Sequence, residues 1–272
     1  MKNIISKDKS YICFNDLDTK KLQFLDEKFK GMALELGAVE CHIPAMIDKS
    51  ILSKCGYFDT FPQYLSVVAH ADRSLYNQII DDKSITDKNG TISEQYLTPA
   101  ACLHIYPMLE NTEVKNQVIT TRARVYRYED EQYDGKVRLW DFTVREIVFI
   151  GDVEYVRGGL DFIKQKTLEF TSKINLSVDI ELAEDNFYYT AQNTMLKKIQ
   201  RANCSKFELR TSLNEKDVAL ASFNSHNFHF SKTFNFDNDM KVVTGCVGFG
   251  LERWVNAINY NNIELDEKNE FQ

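Results

Sequence analysis

TGCVGFGLERW, residues 244–254, is the stretch on which the reading of this chain turns. Gly245, Gly248 and Gly250 punctuate an apolar run that reads as a strand closing on a turn, and the spacing after Gly250 opens a helix. Glu252 and Arg253 therefore arrive at a strand-to-helix junction. Glycines just before an arginine let the backbone lie flat beneath a ligand. Cys246 is the odd member. A thiol at the head of such a strand is either a small buried side chain or a ligand.

Working outward, the nearest partner is VYRYEDEQYDGKVRLWDFTVRE, residues 125–146, which reads as a long β-hairpin around the turn EQYDGKV. Arg127 and Glu129 lie two apart, hence on one face of a strand, and Arg138, Trp140 and Phe142 share a face on the returning strand. Such a face can hold a nucleotide: guanidiniums clamp phosphate oxygens in forked geometry, a ring stacks on the base, and a carboxylate accepts from a base amino group. On spacing alone, a solvated strand pair with cross-strand ion pairs is the plainer reading.

The rest of the chain supplies a scaffold. NDLDTKKLQFLDEKFKGMALELG (15–37) is a helix capped by Asn15 or Asp16, with Leu22, Leu25, Phe29, Met32 and Leu36 at helical spacing and Gly37 as the stop. AVECHIPAMI (38–47) is a strand that meets Pro44, and residues 81–93 form a surface loop. Residues 96–109 mix strand and turn signals around Pro99 and Pro107. Residues 152–174 read as a helix weakened at Gly158 and Gly159, and 193–203 as a short basic helix. Residues 176–182, 205–213, 217–224 and 232–236 read as further strands. Strand pairs dominate without βαβ alternation, so the expected class is α+β, a mostly antiparallel sheet flanked by helices. One domain over 1–272 is expected, with a short lead (1–14) and a polar tail from about residue 260 that frays.

Composition narrows the function classes. A hydrophobic content of 43% and a charged content of 27% over 272 residues fit a globular chain. The net charge of −7 opposes general nucleic-acid binding. No apolar run reaches the ~18 residues needed to cross a bilayer, so no membrane role is expected. MKNIISKDKSY lacks the apolar core of a signal peptide, which makes the cytoplasm the expected location. Six cysteines (13, 41, 55, 102, 204 and 246) without a CxxC pair are neither a disulfide framework nor a compact zinc finger.

Taken together and in order, these segments resemble the class II aminoacyl-tRNA synthetases. Arg127-x-Glu129 in a long hairpin resembles their motif 2, and Gly248-x-Gly250-Leu-Glu-Arg253 leading into a helix resembles motif 3. The strand ending at Pro44 after a long helix resembles motif 1, the family's dimer interface, which implies a homodimer. DKSILSKCGYFDTFPQYL, YLTPAACL and LWDFTVRE are similar to the seryl branch, and the resemblance covers roughly residues 15–260. It implies that Arg127 and Arg253 are catalytic. Arg127 would hold the α-phosphate of ATP, Arg138 and Arg253 the outer phosphates, and Glu129 and Phe142 the adenine. Attack on an α-phosphorus needs alignment and charge neutralisation more than a general base, which suits an arginine-rich site. Ala100, Ser222 and Asn224 fall where the substrate would lie. Glu208 is the candidate carboxylate for Mg2+. His226 and His229 read as pocket-lining or structural.

The resemblance also addresses Cys246. Cys102 stands where seryl enzymes carry a glutamate that meets the substrate amino group. Glu146 lies on the motif 2 return strand, and Cys246 opens the motif 3 strand. Two thiolates and a carboxylate suit a tetrahedral Zn2+ site with one position left for a ligand. The same Cys, Glu, Cys trio marks the seryl enzyme of methanogens and the amino acid:[carrier protein] ligases. The expected metal is therefore zinc on Cys102, Glu146 and Cys246.

Between these branches, two features favour the carrier-protein ligases. The catalytic segment begins near residue 15, leaving no place ahead of it for a tRNA-gripping arm, and the chain is acidic, so no tRNA is expected. The segment about 190–204 is similar to an extra helix that docks the carrier, and Lys197, Lys198 and Arg201 would steer an acidic acyl or peptidyl carrier protein bearing phosphopantetheine. The expectation is ATP-dependent activation of a small amino acid, glycine or alanine, to an aminoacyl-adenylate, then transfer to the phosphopantetheine thiol. The alternatives are a non-catalytic paralogue serving as a binding or regulatory subunit, and an aminoacyl-tRNA synthetase that lacks its own tRNA-binding arm.

Overall fold

Periodicity becomes helices and alternation becomes a sheet with a hydrophobic core on each face. The structure, a computed structural model, describes residues 1–128, 134–236 and 241–265. A small hairpin of β1 (Ile4–Ile5) and β2 (Ile12–Cys13) precedes α1 (Asp16–Leu34). The Asn15 side chain caps α1 by accepting from the Asp18 N–H, and Leu22, Leu25, Phe29 and Met32 are buried along one stripe. The Ser10 carbonyl accepts from the Trp140 and Asp141 N–H groups, which fixes the lead against the end of the 125–146 hairpin.

The strand predicted over 38–47 is interrupted. β3 (Val39–Glu40) has two residues, and pairing resumes as β4 (Met46–Asp48) in a different sheet. Pro44 lies between them and has no N–H to offer a ladder. α2 (Lys49–Lys54), α3 (Tyr57–Thr60), β5 (Val67–Ala71), α4 (Tyr76–Asp82) and β6 (Gly90–Leu97) follow, and β4, β6 and β5 form a three-stranded sheet. The predicted loop at 81–93 thus begins in a helix and ends in a strand. Ala101–His104 and Tyr106–Leu109 are 3-10 turns.

β7 (Gln117–Tyr126) and β8 (Asp141–Gly151) are the arms of the hairpin. α5 (Val153–Lys173) runs unbroken through Gly158 and Gly159, against the weakening expected there. A Cβ at Gly159 would meet the Phe149 ring at 2.4 Å, so this glycine lets helix and sheet approach closely. β9 (Asp179–Leu182), α6 (Ala191–Ala202), β10 (Lys206–Leu213), β11 (Lys216–Asn227), α7 (His229–Phe234), β12 (Val243–Gly250) and α8 (Leu251–Tyr260) complete the order. Residues 232–236 are a correction: the expected strand is the end of α7 and its C-terminal turn. Phe230 and Phe234, one helical turn apart, both pack on Tyr106, the Tyr106 and Phe230 rings stacking at 3.9 Å.

The main sheet has the order β3-β7-β8-β12-β11-β10-β9, antiparallel except for the β3–β7 pair. Residues alternate between its faces. Ile147, Phe149, Val247 and Phe249 join the core beneath α1, α5 and α8, where Phe29 stacks on Phe249 at 4.0 Å. Val144, Val148, Ile150 and Cys246 join a second core under the 3-10 turns and α7. Arg145 shows how strictly β8 alternates. It points to the α1 side, 1% exposed, and its guanidinium donates to both Asp26 oxygens at 2.7 and 2.9 Å and to Glu40 at 2.9 Å. Its neighbour Glu146 points the other way.

Candidate active site

Register places the site. Across the sheet, Thr121, Glu146, Gly248, Ser222 and Glu208 fall in one row, and Ile119, Val148, Cys246, Asn224 and Lys206 in the next. Side chains two apart on a strand share a face, so Glu146, Cys246, Ser222 and Asn224 converge on one surface. Cys102 is delivered to the same spot by the 3-10 turn Ala101–His104.

The ligand atoms of Cys102, Glu146 and Cys246 lie within 4.8 Å of one another, and all three residues are buried. Burial raises the Glu146 carboxyl to about 7, partly offset by hydrogen bonding to Cys246, the charge of Arg127 and hydrogen bonding to Cys102. Contact with the Cys102 thiol and burial push the Cys246 thiol well above its ordinary value. Metal-free, Glu146 and Cys246 thus lean toward their protonated forms. A divalent cation would reverse this, because it favours thiolate and carboxylate. The donor set, its compactness and its dryness fit a zinc ion.

Two side chains from β11 reach the Cys246 sulfur: Asn224 Nδ2 at 3.6 Å and His226 Nε2 at 3.7 Å. His226 Nδ1 lies 3.2 Å from Thr244 Oγ1 and 3.3 Å from the Tyr106 hydroxyl. Desolvation lowers the His226 imidazole to about 4, so it is neutral near pH 7. His226 is thus in the pocket wall, whereas His229 starts α7, with Nε2 3.4 Å from the Cys55 carbonyl.

Arg127 lies just past β7 and donates through Nε to the Pro99 carbonyl at 2.9 Å. Its guanidinium carbon is 5.7 Å from the Phe142 ring centroid and 5.8 Å from that of Tyr64. Ala100, half-buried, packs on the core under the trio. Arg253, in the first turn of α8, donates to the Val137 carbonyl through Nε at 2.6 Å and to the Ala219 carbonyl through Nη1 at 3.1 Å. Phe142 and Arg253 line one small pocket with Val137, Leu139, Gly250 and Glu252. Glu252 is buried and accepts from the Thr143 N–H at 2.7 Å and the Thr143 hydroxyl at 2.9 Å, tying α8 to β8.

Part of the expected hairpin face is not a strand face. β8 starts at Asp141, so Arg138 and Trp140 lie in the turn before it. There the Asp134 carboxylate accepts from the N–H groups of Lys136, Val137 and Arg138 at 3.0, 2.9 and 3.1 Å, and Arg138 is exposed. Glu129 lies outside the described residues. Glu208 occupies the site-facing row but is held by Arg210 at 2.6 Å and Lys206 at 3.3 Å. Lys206 also pairs with Asp185 at 2.7 Å.

The basic helix extends over α6. Lys198 and Arg201 are exposed, Lys197 is half-buried, and Arg201 pairs with Glu184 at 3.1 Å. Sequence reasoning missed the apolar side of this surface, where Tyr189, Met195 and Ile199 are 89%, 65% and 46% exposed. The signal was available in the i, i+4 spacing of Met195 and Ile199. The helix is anchored by buried Asn193, whose amide donates to the Asp59 and Tyr188 carbonyls at 2.9 and 2.8 Å.

No protein-family model matches the chain. The architecture is that of the class II aminoacyl-tRNA synthetase catalytic domain. M. kandleri SerRS, solved in complex with A. aeolicus tRNASec, superposes with a TM-score of 0.74 at 20% identity, over 88% of this chain and 52% of that one. In sequence the chain is similar to two kinds of ligase. It is 26% identical over 243 residues to the type-2 serine–tRNA ligase of Methanothermobacter thermautotrophicus, covering 81% of this chain and 47% of the relative. It is 27% identical over 234 residues to amino acid–[acyl-carrier-protein] ligase 1 of Bradyrhizobium diazoefficiens, covering 80% of this chain and 70% of the relative. The chain thus spans about half the length of the serine–tRNA ligase. Among the described residues, no helix is long and apolar enough to cross a membrane.

Proposed function

We propose that the protein is an AMP-forming amino acid:[carrier protein] ligase that binds zinc through Cys102, Glu146 and Cys246. The observation that carries this reading is the compact Cys, Glu, Cys cluster beside Arg127 on a class II synthetase sheet. A bound zinc ion would supply a Lewis-acid position for the neutral amino group of the substrate.

The chain's own residues do the rest. Asn224, Ser222 and Ala100 border the amino acid, proposed to be glycine or alanine. Arg127 orients the α-phosphate of ATP and neutralises charge as the substrate carboxylate oxygen attacks phosphorus and pyrophosphate leaves. Phe142 offers a stacking surface to adenine, and Arg253 and Arg138 hold the outer phosphates, whose charge a bound Mg2+ would share. Glu129 belongs to this proposal as the adenine acceptor. In the second step the carrier's pantetheine sulfur attacks the carbonyl carbon of the adenylate and AMP departs. The basic and apolar surface of α6 supports an acidic carrier as partner. The motif 1 region, where Val39 is 67% exposed beside the sheet edge, supports a homodimer. Free thiols and use of ATP support a cytoplasmic setting.

The test is intact-mass analysis of a holo-carrier after incubation with enzyme, ATP and each amino acid. Addition of one aminoacyl group is expected, and an unchanged carrier mass overturns the reading. The serine–tRNA ligase relatives favour a second reading, charging of tRNA. Aminoacylation of total tRNA with an unchanged carrier would select it.

A further inference from the structure

We propose that His226 is a positioning residue for Cys246, its Nε2–H donating to the sulfur and setting both the sulfur's place and its electron donation to a bound divalent ion. This rests on the metal reading above.

Backbone register explains why His226 is there. Ser225 pairs with Gly245 and Asn227 with Thr244, so His226 is the extra residue of a β-bulge in β11. A bulge re-aims a side chain out of the regular ladder. Here it brings the imidazole to the same sulfur that the amide of Asn224 contacts.

The hydrogen-bond inventory fixes the direction of the contact. A metal-bound cysteine is a thiolate with no hydrogen to give. The 3.7 Å contact is then attractive only if Nε2 carries the hydrogen. A neutral imidazole has one N–H, so Nδ1 is the acceptor. The hydroxyls of Thr244 and Tyr106, at 3.2 and 3.3 Å, are both able to donate to it. Both of those residues are fully buried, so neither hydroxyl has bulk water as a competing partner. The opposite tautomer would set a lone pair against a thiolate. Two N–H donors on one sulfur draw charge from it and leave the metal a stronger Lewis acid.

Zinc content of the wild-type protein comes first: a protein that binds no zinc defeats the metal reading itself. If zinc is bound, chelator competition and the absorption of the cobalt-substituted protein are compared for wild type, His226→Phe and His226→Gln. The phenylalanine variant is expected to bind zinc about 10–100-fold more weakly, the range for loss of a residue supporting a metal ligand. Its sulfur-to-cobalt charge-transfer band should move to lower energy, because the thiolate has lost a donor. Glutamine, which restores an N–H, should recover most of both effects. Unchanged affinity and band in the phenylalanine variant overturn the proposal. So does a loss that glutamine does not recover, which would mark a packing role. Should the phenylalanine variant not fold, nitrogen-15 NMR of the metal-loaded wild type decides. The Nε2–H tautomer supports the proposal and the Nδ1–H tautomer overturns it.

Discussion

Gly248 faces Glu146 across the β8–β12 ladder, and a Cβ on Gly248 would lie 2.9 Å from Glu146 Oε2 and 3.7 Å from Ser222 Oγ. The carboxylate occupies the space that any side chain at position 248 would take. Because the obstructed atom is the far end of a side chain, Gly248→Ala is expected to displace the carboxylate and leave the backbone in place. The variant should melt close to wild type yet bind zinc at least about tenfold more weakly. A thermal melt beside a zinc titration checks this.

Zinc affinity should depend steeply on pH. Glu146 is raised to about 7 and the Cys246 thiol is raised further, while the metal-bound state needs both deprotonated. Protons therefore compete increasingly as pH falls through 7. Affinity should drop toward acid, and binding near neutrality should release protons. Chelator competition at several pH values, with proton release read by a pH indicator, measures both.

Arg127 is expected to tolerate no replacement, including lysine. Its planar guanidinium donates to Pro99 and lies near the Phe142 and Tyr64 rings. An ammonium keeps the charge and loses the fork. Amino-acid-dependent pyrophosphate exchange should fall by about 10²–10³ in Arg127→Lys, the scale for loss of one transition-state donor. Zinc content measured in parallel separates this from damage to the metal cluster.

Asp26→Ala should be strongly destabilising. Arg145, with a side chain 2% exposed, would lose both oxygens of its main partner and keep, among the described residues, only Glu40. Removing one member of a buried pair costs about 3–5 kcal/mol. Denaturant unfolding would read the loss directly.

On α6, reversing the charge of Lys198 and Arg201 together should raise the KM for an acidic carrier about tenfold at low salt. The effect should shrink as ionic strength rises, since both side chains are exposed. Steady-state transfer kinetics at two salt concentrations test it.

What the sequence disclosed follows from periodicity. Alternation marked residues 125–146 as a hairpin, whose arms are β7 and β8, and glycine punctuation set the β12-to-α8 junction, both as found. Cys102 had no such signal, because a 3-10 turn carries neither period, and only resemblance placed it. Residues 232–236 misled because Phe234 and Phe236, two apart, alternate like a strand, whereas Phe234 ends a helix and packs on Tyr106. Arg138 and Trp140 looked like strand residues, yet Asp134 and the Ser10 carbonyl claim the backbone there. The bulge at His226 exists only in register and leaves no mark on a single strand's pattern.

The two-sided character of β8 has a consequence for how such a protein diversifies. Odd-numbered positions such as 145, 147 and 149 answer to the helices, and even-numbered ones such as 142 and 146 answer to the pocket and the candidate metal cluster. Selection on substrate choice and selection on folding can therefore act on interleaved residues with little conflict. A one-residue insertion in this strand would be ruinous, since it would deliver a guanidinium to the face shared by Cys102 and Cys246 and a lone carboxylate among phenylalanines.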